Sequence, residues 1–145
     1  MTLDGTEISN ITGQLALGGA GITTIYVNSL TAAQTATLNG AIQIGVFGAG
    51  TVIFEGSTSV FSAGTGLFLA ASSANTLNAG ITVSSGDITV QSGTVTAADG
   101  VSLTAGGGSV TLGTATNASG AFTVNATGDR SEERRVGKEC RSRWS

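Results

Sequence analysis

The sequence predicts an all-β chain wound as a parallel β-helix of about 21 residues per coil, and three observations carry that reading. Twelve consecutive seven-residue blocks run from Gly45 to Gly128, and the first four place an aliphatic residue before phenylalanine at one spacing: Val46-Phe47, Ile53-Phe54, Val60-Phe61 and Leu67-Phe68. Each block has Gly, Ser or Asn in its last two places, as in Ser85-Gly86, Ser92-Gly93, Asp99-Gly100 and Gly106-Gly107, so turns punctuate short apolar stretches. Apolar residues also recur at a three-block interval: Ile81 with Val101 and Phe122, Val83 with Leu103 and Val124, Ile88 with Val110, Val90 with Leu112. These spacings drift between 20 and 22 residues. A coiled sheet tolerates that drift, because an insertion at a corner leaves the inward and outward alternation of the strands unchanged.

A seven-residue period is also the signature of a coiled coil. Glycine excludes it here: the blocks hold sixteen glycines, which inside helices would cost roughly 13 to 16 kcal/mol relative to alanine, as much as the whole net stability of a domain. The filler residues are Thr, Val, Ile and Ser, which suit a half-buried pleated surface. A β-sandwich or open barrel is the alternative within the all-β class. It gains nothing from equal blocks, whereas a solenoid uses them to stack like residues on like.

From the N-terminus, the period is faint before Leu38, but Ile22-Thr23-Thr24-Ile25-Tyr26-Val27 and Ala41-Ile42-Gln43-Ile44 read as strands. Beyond them each coil should carry three short strands, and six coils spaced as paired strands would extend about 28 Å. Ile81-Thr82-Val83, Ile88-Thr89-Val90 and Val110-Thr111-Leu112 alternate with period two. In the predicted core Phe47, Phe68, Ile88, Val90, Val110 and Leu112 point inward on neighbouring coils, with Phe54 and Phe61 filling the other sides. Asn75 and Asn78 are candidates for an internal amide ladder at a corner.

Residues 130–145 stand apart. They hold all six Lys and Arg residues of the chain and resemble the in-frame translation of a widely used sequencing adapter, so they are read as a non-native tail with no fold expected. Cys140 and Trp144 belong to that tail and carry no functional weight. The body, residues 1–129, is read as one β-solenoid repeat region. Its charges are Asp4, Glu7, Glu55, Asp87, Asp99 and Asp129, six acids and no base. A surface without Lys, Arg or His lacks the groups that neutralise phosphate, so neither nucleic acid nor anionic lipid is an expected partner. The body has no cysteine for disulfides or thiolate-bound metals. Its apolar runs are far shorter than a membrane span, so no membrane insertion is expected. No signal peptide is visible, but a read that ends inside a gene can also begin inside one, and the missing leader carries no information.

No catalytic, cofactor-binding or metal-ligating residue is predicted, and no cofactor. A glycoside hydrolase would need two carboxylates about 5 to 10 Å apart across the sugar bond, and a lyase a base to remove a proton. Asp87 and Asp99 are the closest candidates, yet their separation of twelve residues is not a coil interval, and each reads better as a turn residue. Ala105-Gly106-Gly107-Gly108-Ser109 opens no helix and reads as a corner rather than a phosphate loop. Asn10-Ile11-Thr12, Asn117-Ala118-Ser119 and Asn125-Ala126-Thr127 match the glycosylation triplet in a chain where Ser and Thr abound. Thr82, Thr89, Thr96, Thr111 and Thr123 should face outward, and a regular threonine lattice on one flat side would resemble an ice-binding face.

Gly86-Asp87-Ile88-Thr89-Val90, Gly108-Ser109-Val110-Thr111-Leu112 and Gly120-Ala121-Phe122-Thr123-Val124 are similar to repeats of filamentous-haemagglutinin-like adhesins. The likeness covers most of the body, most clearly residues 58–82 and 97–127. It implies a right-handed β-helix and a structural, non-catalytic shaft segment of a large secreted or surface-displayed bacterial exoprotein. Host-cell glycans or proteins would then be partners through the full-length parent, and exposed solenoid ends would favour self-association. Autotransporter passengers and phage fibres use similar coils and stay open as alternatives, as do a polysaccharide-acting β-helix enzyme and an ice-binding solenoid. The proline-bearing secretion domain of the adhesin family is not this region, because the chain has no proline.

Overall fold

The computed structural model describes residues 1–19, 21–46, 50–63, 66–69, 74–91, 93–112 and 115–127. They form a parallel β-solenoid with three faces. The first face is a six-stranded sheet in the order β1 (Thr2–Leu3), β3 (Thr24–Asn28), β5 (Thr51–Glu55), β8 (Ala74–Leu77), β11 (Thr94–Ala97) and β14 (Ala115–Ala118). The second is four-stranded, in the order β6 (Ser59–Phe61), β9 (Ile81–Val83), β12 (Val101–Ala105) and β15 (Phe122–Ala126). The third is five-stranded, in the order β2 (Ala16–Gly18), β4 (Ile42–Val46), β7 (Gly66–Leu69), β10 (Asp87–Val90) and β13 (Val110–Thr111). Strand numbers follow the chain, so successive strands visit the faces in rotation and every neighbour within a sheet belongs to the adjacent coil.

Coil length follows from the register. Phe61 pairs with Val83, Ile81 with Leu103 and Ile88 with Val110, each 22 residues on. Leu103 with Val124 and Leu67 with Ile88 are 21 apart. Toward the N-terminus coils lengthen, with Ile25 opposite Val52, 27 residues away. Longer connections there explain why the period fades before Leu38.

In the first two coils the second face is helical. Short turns α1 (Gly5–Ile8) and α2 (Ala32–Thr35) occupy the place that β6, β9, β12 and β15 take in later coils, α1 beside α2 and α2 beside β6. Each turn begins in a reciprocal capping box. The Asp4 carboxylate accepts from Thr6 N at 2.7 Å while Asp4 N donates to Glu7 at 3.0 Å, and Thr31 and Gln34 repeat the exchange at 3.3 and 2.8 Å. Two orphan donors per turn are thereby satisfied where no neighbouring strand could satisfy them. The edge of β6 is covered rather than bare: Val60 N donates to Leu30 O at 2.8 Å, and Thr35 Oγ1, fully buried, donates to Val60 O at 2.8 Å and accepts from Ser62 N at 3.0 Å.

The core is a set of columns running through the coils. Leu3, Val27, Phe54, Leu77 and Ala97 stack in register on the first face, as do Ile42, Leu67, Ile88 and Val110 on the third. Phe61, Val83, Ala105 and Ala126 form a third column, large side chains at one end and small at the other. All are buried, and Ile88, Val90, Val110, Leu112, Phe54 and Phe61 point inward as the sequence predicts. Phe47 lies outside the described residues.

Two expectations need correction. Phe68 points outward and is half-buried, paired in register with Gln43 and Thr89, while Leu67 and Leu69 fill the core beside it. The inward pairs Val52 and Phe54, then Ser59 and Phe61, are seven residues apart, but the next inward pair, Leu67 and Leu69, follows Ser59 and Phe61 by eight. A connection longer by one residue reverses which member of the Leu-Phe pair faces in. The second correction is register: Ile81 stacks on Leu103 and Val83 on Ala105, two residues beyond the expected Val101 and Leu103. A slip of two keeps every side chain on its own face, so periodicity alone does not distinguish the two registers.

Candidate functional site

Two carboxylates of the repeat region, Asp87 and Asp99, sit at solenoid corners. Asp87 begins β10 at the corner between the four- and five-stranded faces, and its Oδ1 accepts from Ser109 N at 2.8 Å and Ser109 Oγ at 3.3 Å. Asp99 lies between β11 and β12, at the corner of the six- and four-stranded faces, and its Oδ1 accepts from Ala121 N at 2.7 Å. In both cases a carboxylate of one coil receives a backbone N–H from the corner of the next, 22 residues on. A charged acceptor makes these the stronger kind of hydrogen bond. The two carboxylates therefore sit at different corners, Asp87 as the first residue of β10 and Asp99 in the turn between β11 and β12, and neither faces the other across a cleft.

Glycine makes the arrangement possible. A Cβ on Gly108 would collide with Asp87 Oδ1 and the Gly86 carbonyl, and one on Gly120 with the Asp99 side chain. Each Asp thus needs a glycine 21 residues later, immediately before the donor it binds. This paired spacing, Asp87 with Gly108 and Asp99 with Gly120, is legible in the sequence once a coil of 21 to 22 residues is assumed. Gly106 to Gly108 form the corner between β12 and β13, where Gly107 N donates to Thr127 Oγ1 at 2.6 Å and Thr127 Oγ1 to Ala105 O at 3.2 Å.

The remaining described acids sit apart from these corners. Asp4 and Glu7 belong to the first capping box; the Glu7 side chain, followed by the Thr6 N–H, holds the Asp4 carboxyl below the usual carboxylate range. Glu55 ends β5 opposite Asn28. Among the described residues no three Asp, Glu, His or Cys side chains converge. Asp129 lies outside the described residues, as do residues 130–145.

The asparagines do not form the expected ladder. Asn75 points inward between Val52 and Val95, almost wholly buried, while Asn78 is exposed. Asn75 Nδ2 reaches Thr94 O only at 3.5 Å, and its Oδ1 has no hydrogen-bond partner. Of the three glycosylation triplets, Asn10 donates its amide to Thr6 O at 2.9 Å, and Asn117 and Asn125 are exposed on β14 and β15.

The five outward threonines are spread over all three faces: Thr96 on the six-stranded, Thr89 and Thr111 on the five-stranded, Thr82 and Thr123 on the four-stranded sheet. They make no single lattice. The six-stranded face has rows of its own, Thr24, Thr51, Ala74, Thr94 beside Thr2, Tyr26, Ile53, Thr76, Thr96, Asn117, in which Tyr26 and Ile53 interrupt the hydroxyls. A shallow cleft of about 210 Å³, counting its open mouth, is lined by Gly18, Gly19, Ile22, Ile25, Gly45, Gly50, Thr51 and Val52. Its lining offers one side-chain hydroxyl and otherwise hydrocarbon and backbone.

Comparison of the chain with protein-family models, with curated proteins and with solved structures gave no match.

Proposed function

We propose that the chain is a non-catalytic shaft segment of a larger secreted or surface-displayed bacterial adhesin of the filamentous-haemagglutinin-like kind. The observation that carries this reading is the use to which the polar corner groups are put. Asp87, Asp99, Ser119 and Thr127 bind backbone of the adjacent coil and so serve the stack itself. A segment of this kind holds distance: each coil adds about 4.8 Å, and the five steps across the six-stranded face give about 24 Å. Recognition of host glycans or proteins belongs, on this reading, to other parts of the parent protein.

Terminal strands support self-association as a further property of the isolated chain. Among the described residues β15 is the last strand of its sheet, and its sequence Phe122-Thr123-Val124-Asn125-Ala126 carries no charge that would discourage pairing with another strand. Electron microscopy of the parent protein tests the reading directly. It should show a thin rod whose length grows with the number of repeats, and a globular particle would overturn the proposal. Incubation of the purified chain with plant and bacterial polysaccharides should give no new reducing ends or unsaturated products; reproducible cleavage would restore the enzyme alternative.

A further inference from the structure

We propose that Asn39–Gly40 is a site of spontaneous deamidation and backbone isomerisation. Among the seven asparagines of the chain only Asn39 precedes glycine; the others precede Ile11, Ser29, Thr76, Ala79, Ala118 and Ala126. The reaction needs the backbone nitrogen of the next residue to reach the asparagine Cγ, and a glycine neither shields that nitrogen nor restricts the approach. The fold leaves the reacting groups available. Asn39 is exposed, Gly40 has φ of +75°, and among the described residues neither the Asn39 side chain nor the Gly40 N–H has a hydrogen-bond partner. Elsewhere the fold works against the chemistry: Asn75 is buried, the Asn10 amide is bound to Thr6 O, and Asn28 Oδ1 accepts from Ser29 Oγ at 2.7 Å.

The steps balance with water alone. Gly40 N loses its proton to solvent base and attacks Asn39 Cγ. The bond from Cγ to Nδ2 breaks, the nitrogen takes up a proton, and ammonia leaves a five-membered succinimide. Water then adds to one of the two ring carbonyls and breaks its bond to the ring nitrogen. One choice gives aspartate and the other isoaspartate, in which the main chain runs through the former side chain.

The position matters because this corner ties the first coil to the second. Asn39 N donates to Gly13 O at 2.8 Å and Thr37 Oγ1 to Ile11 O at 2.7 Å, on either side of the buried anchor Leu38. Isoaspartate adds a methylene to the backbone at that junction and a carboxylate to a body that has only acids. Ageing of the chain would therefore loosen the first coil before any other.

The full chain, incubated at mildly alkaline pH and sampled over days, tests this by peptide mapping with mass spectrometry and isoaspartate-specific enzymatic methylation. Conversion at Asn39 should exceed that at Asn78, Asn117 and Asn125 by about tenfold or more, because only glycine leaves the attacking nitrogen free of side-chain hindrance. Asn39→Gln should abolish it without changing the circular dichroism spectrum. Equal rates at all exposed asparagines would overturn the proposal, as would a folded chain far slower at Asn39 than the same chain in urea. If Asn39→Gln fails to fold, the ranking of sites in the unaltered chain decides alone.

Discussion

Leu67 and Phe68 are neighbours whose costs of truncation should fall in the opposite order to their sizes. Leu67 is fully buried in the column between Ile42 and Ile88, so Leu67→Ala removes core side-chain volume between two fixed neighbours and should cost about 2 to 5 kcal/mol. Phe68 stands on the outer face between Gln43 and Thr89 and is only half-buried. Full burial of a phenylalanine is worth about 1.5 to 3 kcal/mol, so Phe68→Ala should cost about 1 kcal/mol. Urea unfolding of the full chain, followed by far-ultraviolet circular dichroism, measures both. A clear fall in midpoint is expected for Leu67→Ala and a small one for Phe68→Ala. If Phe68→Ala were the more damaging, the strand would be facing the other way.

Asn75→Val should raise the unfolding midpoint, since it replaces a buried acceptor without a partner by a side chain matching its stacked neighbours Val52 and Val95; relief of about 1 to 3 kcal/mol is expected, and a lower midpoint would show that the amide is satisfied by bound water. Asp87→Ala and Asp99→Ala should each cost about 1.5 to 3 kcal/mol by releasing Ser109 N and Ala121 N from a charged acceptor, and no loss in either would remove the corner hydrogen bonds from the account. The cap of α1 should respond to acid. A carboxyl whose pKa is lowered by folding stabilises the fold above its unfolded pKa, and that contribution is lost as pH falls through the folded value. The Thr6 amide resonance should accordingly move only below the usual carboxylate range; a transition at or above that range would contradict the bonded cap.

Much of this fold is written in the sequence because its turns are. Seven-residue blocks ending in small residues give the strand count, and the stacking of Ile88 on Val110 follows from them. What periodicity does not carry is the length of each corner. One residue more between β6 and β7 than between β5 and β6 turns Phe68 outward, and a slip of two moves Ile81 onto Leu103. The helical turns were hidden for a different reason. Asp4-Gly5-Thr6-Glu7 and Thr31-Ala32-Ala33-Gln34 are capping-box sequences, but each supports only four helical residues and no apolar period announces so short an element. Asp99 is the turn residue that its neighbouring glycine suggests, whereas Asp87 is the first residue of β10; the backbone groups that both bind lie a whole coil away and appear only when coil length is known. Asn75 suits an amide ladder by residue type, yet its neighbours in register are valines.

If the chain is a linear stack, spin-label distances along one face must grow by a fixed step per coil. Labels at Tyr26 and Asn117, four strands apart in the six-stranded sheet, and at Thr2 and Asn117, five apart, would be measured by pulsed electron resonance with Cys140→Ser as background. Backbone separations of about 19 and 24 Å are expected from a rise of about 4.8 Å per coil. Distances that failed to lengthen by one strand spacing from the first pair to the second would contradict the solenoid and, with it, the shaft.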